Sequence, residues 1–185
     1  KGAKLYKGNN MKLVKETNAI LKQKCELFDF NEPIIDPYEL SDGLQKIRKE
    51  GGGIGLAAPQ VGLNTQALVI GMGNFTTEGS EKYDQVFFNP TIKSYEGEES
   101  YMIEGCLSYP NLFVEVKRPA KIVLEWYTEE GTQCDQEFED MVSRIPQHEV
   151  DHLNGISFIN RANSFHLKRS YKKRMINERR KKHSK

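Results

Sequence analysis

The run that most restricts how this chain can fold is Arg144 to Phe158, RIPQHEVDHLNGISF. Its segment from His148 to His152 has the form H-E-x-x-H. A helix turns by about 100° per residue, so His148 and His152 project side by side and can hold one ion, with the Glu149 carboxylate next to them. The run therefore asks for a helix and for a second segment closing a site onto it, because catalytic metals of this kind take three protein ligands and keep one position open. A charged helix whose histidines merely cap or pair satisfies the same pattern, so the surrounding sequence must decide. Gly155 reads as the end of the helix. The extended form H-E-x-x-H-x-x-G-x-x-H is followed as far as Gly155, but Phe158 stands where the third histidine belongs. Downstream, Glu178 lies inside a basic tail, which directs the search for a third ligand upstream.

The length of 185 residues fits one domain with a substantial core. Its net charge of +1 conceals a segregation: residues 166–185 carry ten Lys and Arg against Glu178 alone, which leaves 17 basic and 25 acidic residues, net −8, over 1–165. We read 1–165 as the folded domain and 166–185 as a basic tail, helical from about Phe165. No apolar run is long enough for a membrane helix, and KGAKLYKGNN has no apolar signal region, so a soluble protein is expected. Three cysteines, Cys25, Cys106 and Cys134, cannot all pair, and a reducing compartment follows as the expectation.

Apolar positions Leu40, Leu44 and Ile47 predict a helix over PYELSDGLQKIRKE, stopped by Gly51, Gly52 and Gly53. TQALVIGM, DQVFFNPTI and AKIVLEWYT read as short strands bounded by Asn74, by Asn89 with Pro90, and by Gly131, with NFTTEGSEKYD as an exposed loop. With no regular βαβ alternation, the expected class is α+β: mixed, mainly antiparallel strands around a central helix carrying the metal motif. GIGLAA formally satisfies a dinucleotide fingerprint, but it follows a predicted helix and runs into Pro59 instead of opening a helix after a strand. A backbone bared so that an extended peptide can pair with its amides suits it better.

Three stretches in order, GIGLAAPQ (Gly53–Gln60), EGCLS (Glu104–Ser108) and QHEVDHL (Gln147–Leu153), resemble the peptide deformylase family. FNPTI, Val116, Arg118 and GISFINR add weaker likeness, so the resemblance spans about Leu13 to Arg161. It implies Cys106 as the third metal ligand beside His148 and His152, and one divalent ion, Fe(2+) natively, with Zn(2+), Co(2+) or Ni(2+) able to substitute. It also implies Glu149 as the proton-transferring carboxylate, and the Gln60 amide with the Leu107 backbone N–H as an oxyanion hole. The substrate contacts it implies are Ile54, Gly55, Met102, Glu104, Met141 and Ile145, and the substrate is the N-formyl-methionyl end of nascent peptides, releasing formate. Asp151 is expected to orient a histidine or an arginine, and Cys25 and Cys134 to be structural.

Two residues depart from the family pattern. Pro146 replaces a larger apolar residue inside the motif helix, where proline costs about 3 kcal/mol, and Asp140 stands where glycine is common. Formylated initiation belongs to bacteria and to organelles with bacterial-type translation. A chain starting at Lys1, ahead of KLVKETNAIL, suggests a processed precursor in a plastid-like organelle or mitochondrion, with Met11 as an alternative bacterial start. The basic tail offers charge to nucleic acid or the ribosome, although a solvated helix face explains it equally.

Overall fold

The computed structural model describes residues 11–71 and 84–183. KGAKLYKGNN lies outside them, as does the expected loop NFTTEGSEKYD apart from Asp84. α1 is Pro37–Glu50. Asp36 caps it by accepting from the amides of Tyr38 and Glu39, each at 3.0 Å, and Pro37 occupies the first position, where no intrahelical donor is needed. Gly51 ends it, and Gly52 follows at φ +68°, a turn that a side chain would oppose.

β1 (Gly55–Ala57), β2 (Ala67–Ile70), β3 (Gln85–Cys106), β4 (Tyr109–Tyr127) and β5 (Gln133–Glu139) form one antiparallel sheet in chain order. α2 (Asp140–Leu153), α3 (Phe158–Arg161) and α4 (Ser164–His183) follow. The α+β class is as expected, but β3 and β4 are longer than the sequence suggested, and β2 is shorter. Asn89 and Pro90 do not end β3. The register slips between Phe88 and Thr91 while Asn89 takes φ +49°, and its side chain donates to the Phe28 carbonyl at 3.0 Å and accepts from the Phe28 amide at 2.7 Å. The turn residues form a bulge inside a continuous strand.

The unbroken apolar run of β2 reflects burial on both faces. Ala67 and Val69 join Leu40 and Leu44 of α1 in one core, and Leu68 and Ile70 join Ile145, Val150 and Leu153 of α2 in another. The sheet is thus sandwiched between α1 and α2. A third cluster, with Leu112, Val114, Val116 and Phe158, fixes β4 against α3. Pro146 lies inside α2 without ending it, and both histidines sit on the turns after it. α4 packs on β4, and its Arg174 meets Glu16 at 2.8 Å. Among the described residues no helix is long and apolar enough to cross a membrane.

Candidate active site

The tip of the β3–β4 hairpin lies against α2. Cys106 pairs across the tip with Tyr109, so Leu107 and Ser108 form the turn and the thiol is held at the end of a strand. Its Sγ lies 3.2 Å from Nε2 of His152, and the donor atoms of Cys106, His148 and His152 all fall within 4.8 Å of one another. Tetrahedral ligands at normal bond lengths stand about 3.5 Å apart, so this sulfur–nitrogen–nitrogen set fits one borderline-soft divalent ion.

The ring of His148 is fixed from behind. Glu104 accepts from its Nδ1 at 2.9 Å, which leaves Nε2 for Cys106. Burial opposes protonation of this ring, but the hydrogen bonds to Cys106 and Glu104 outweigh it and raise the pKa to about 10, so an ion at Nε2 would have to displace a proton. Glu104 is itself saturated: Arg118 donates to both its oxygens at 2.7 and 3.0 Å, and Arg144 donates at 3.0 Å. Burial opposes its ionisation, but the hydrogen bonds from His148 and Arg118 outweigh that and hold its carboxyl well below the usual range. Arg118 continues to Asp151 at 2.7 Å, which also holds Arg161 at 2.7 Å. Asp151 therefore orients arginines, one of the two roles expected of it. Burial, reinforced by His148 and Arg118, pushes the second histidine, His152, well below its ordinary pKa, which keeps it a neutral donor.

Glu149 is buried beside this pair, and burial raises its carboxyl to about 7. Among the described residues its Oε2 has no hydrogen-bonding partner, and it lines a cavity of about 500 Å³. Space for it exists because residue 55 is glycine: a Cβ there would stand 2.3 Å from Glu149 Oε1. The side chain of Gln60 is buried. Its Oε1 accepts from the Ala57 amide at 2.8 Å, which aims Nε2 at Cys106 Sγ, 3.2 Å away, and at Ser108 Oγ, 3.4 Å away.

The cavity is lined by Gly51 to Gly55, Gln60, Ile103 to Leu107, Met141, Ile145, His148 and Glu149, among others. Two of the expected substrate contacts stand apart from the rest. Met102 is not among the lining residues, although the consecutive residues Ile103 to Leu107 are. Glu104 lines the cavity with its oxygens already accepting from His148, Arg118 and Arg144. Arg144 and Ser108 were missed by the sequence reading. Arg118 could have been read further, since it shares a strand face with buried Val114 and Val116. Cys25, 3% exposed, is held by burial at a pKa of about 11, and Cys134 lies on β5 away from the cavity. β1 is an edge strand with antiparallel β2 on one side, and a 3₁₀ turn from Ala58 to Val61 follows it. That arrangement removes the dinucleotide reading, which needs a strand before the glycines and a helix after them.

The sequence model of the family described as Polypeptide deformylase matches residues 10–168. The chain belongs to the polypeptide deformylase family. It is 41% identical over 124 residues to a peptide deformylase of Rhizobium meliloti, covering 67% of this chain and 70% of that one. A Synechococcus elongatus peptide deformylase, solved in complex with actinonin, superposes with a TM-score of 0.79 at 29% identity over 88% of this chain and 86% of that one. A class I type b peptide deformylase from Acinetobacter baumannii, solved with Met-Ala-Ser bound, gives 0.72 at 30% identity over 82% and 97%. As a deformylase the chain is a metal-dependent hydrolase that removes the N-formyl group from newly synthesised polypeptides.

Proposed function

We propose that Cys106, His148 and His152 hold one divalent ion, natively Fe(2+), and that Glu149 moves the protons of deformylation. The observation carrying this reading is the convergence of the three donor atoms within 4.8 Å beside a cavity that Cys106, His148 and Glu149 line. When bound, the ion supplies Lewis acidity, which makes water a nucleophile near neutral pH and polarises the formyl carbonyl. Zn(2+), Co(2+) or Ni(2+) fits the same donors.

The residues of the chain do the rest. An extended substrate pairs its backbone with the free edge of β1 at Gly55, and its methionine side chain enters between Ile54, Met141 and Ile145. That position brings the formyl carbon to Glu149. The carboxylate takes the proton of the attacking water and passes it to the departing amine, while the Gln60 amide and the Leu107 N–H stabilise the oxygen that becomes negative. Formate and a free amino terminus leave. The Acinetobacter baumannii enzyme with Met-Ala-Ser bound supports a methionyl peptide as the ligand class. We place the protein in a plastid-like organelle or mitochondrion, a reading supported by the cyanobacterial likeness, with the bacterial cytoplasm as the alternative; import of a tagged precursor would decide between them.

Formate release from formyl-Met-Ala-Ser and metal per chain, on protein purified without oxygen, test the assignment. Glu149→Gln should lose about 10²-fold or more in rate and keep its metal. Cys106→Ser should lose both, and Cys25→Ser and Cys134→Ser neither. Near-normal metal and rate in Cys106→Ser would overturn the ligand set. Full, oxygen-insensitive activity with zinc alone would overturn iron as the native ion.

A further inference from the structure

A second concavity, of about 670 Å³, opens between the β3–β4 hairpin and α4. It shares Ile103, Asn111 and Phe113 with the catalytic cavity, so the two adjoin along the hairpin. The hairpin wall is apolar at the junction, where Ile103 is 69% and Phe113 63% exposed. The opposite wall is one face of α4, from His166 to Lys181, and it presents Arg169, Lys173 and Lys181. A core-packing face of that spacing would carry leucines. Among the lining residues Glu115 is the one acid, and it is paired with His166. Arg174 is already held by Glu16 and Glu178. The wall therefore keeps unbalanced positive charge beside a domain of net charge −8.

Resting on the deformylase reading above, we propose that this groove receives the part of the substrate downstream of its first residues and selects acidic side chains there. The face from His166 to Lys181 is about 22 Å long at 1.5 Å per residue, the length of about seven residues of extended peptide. A chain whose formyl end lies at Glu149 passes Ile103 and Phe113 before reaching it. Apolar contacts at the junction suit a peptide leaving the catalytic cavity, whereas a phosphate backbone gains nothing from them. Charge complementarity in a concave groove also raises the encounter rate with anionic chains.

The test uses the metal-loaded full chain and formyl-Met-Ala-Ser extended by five aspartates, five alanines or five lysines. At low ionic strength kcat/KM should fall in that order, by about fivefold or more from the first to the last, given the usual strength of exposed ion pairs. The difference should lie in KM with kcat unchanged and should vanish in about 0.5 M salt, which needs no variant. Arg169→Glu with Lys173→Glu should reverse the order. Lys168→Glu with Lys172→Glu, the same charge change on the opposite face of α4, should keep it. Turnover of the unextended tripeptide separates the two claims: no turnover refutes the deformylase reading, while turnover with equal kcat/KM for all three extensions overturns the groove alone. A preference that survives Arg169→Glu with Lys173→Glu also overturns it. So does an oligoribonucleotide whose binding is lost in that variant while peptides show no preference, since the groove would then be a nucleic-acid site.

Discussion

Asp140 opens α2 with φ +51°, in the left-handed region that costs a side chain about 1–2 kcal/mol and glycine nothing. The same position is where the family pattern commonly has glycine, and the backbone supplies the physical reason. Aspartate tolerates this conformation better than most residues do. Asp140→Gly should raise Tm by about 2 °C, and Asp140→Val, whose branched Cβ is least compatible, should lower it by about 4 °C. Calorimetry on the two variants checks this; a stabilised valine variant would sink it. Glu104 shows another logic at the scale of one residue. Its two oxygens accept from His148, Arg118 and Arg144, so one carboxylate holds the His148 ring in place and neutralises part of a buried arginine pair. Such a group costs several kcal/mol to desolvate and is held only because every oxygen is partnered.

Three elements build the centre, and each brings what it can hold rigidly. The β3–β4 hairpin brings Cys106 at its tip, α2 brings His148, Glu149 and His152 on one face, and β1 brings glycine where the helix comes closest. Pro146 deprives α2 of one internal donor upstream of the histidines, so the turns carrying them keep their regular spacing. The approach of β1 to α2 leaves no room for a methyl group. A Cβ at position 55 would meet Glu149 Oε1 at 2.3 Å and its Cγ at 2.9 Å, and Glu149 is too buried to swing aside. Gly55→Ala should therefore displace the carboxylate, cutting kcat about 10²-fold as misplacements near 1 Å do, with bound metal unchanged. Steady-state kinetics with metal analysis decides it, and an alanine variant of full rate would mean that β1 yields more easily than its packing implies.

Across the whole molecule, charge is divided between an acidic body and a basic helix, and α4 carries its cations on two faces. The groove-facing side includes Arg169 and Lys173, while Lys168 and Lys172 are exposed on the opposite side. We propose that the outer face binds the ribosome, which exposes a large anionic surface. Cosedimentation with ribosomes should weaken steeply with salt and should fall in Lys168→Glu with Lys172→Glu; binding indifferent to both would refute it. The sequence determined what depends on near neighbours. Histidines four apart can only converge on a helix, Asp36 and Gly51 bracket α1, and the strand runs are apolar enough to be buried. The segregated charge is likewise a property of composition. How the tip of the β3–β4 hairpin meets α2 was decided by tertiary structure. The register slips of β3 against β4, including the one between Gly105 and Cys106, break the regular alternation of the strand, and the consecutive residues Ile103 to Leu107 line the cavity. The fate of Glu104 was decided in the same way, since Arg118, Arg144 and His148 reach it only once strand and helix have packed, and no local pattern records a contact between residues so far apart along the chain.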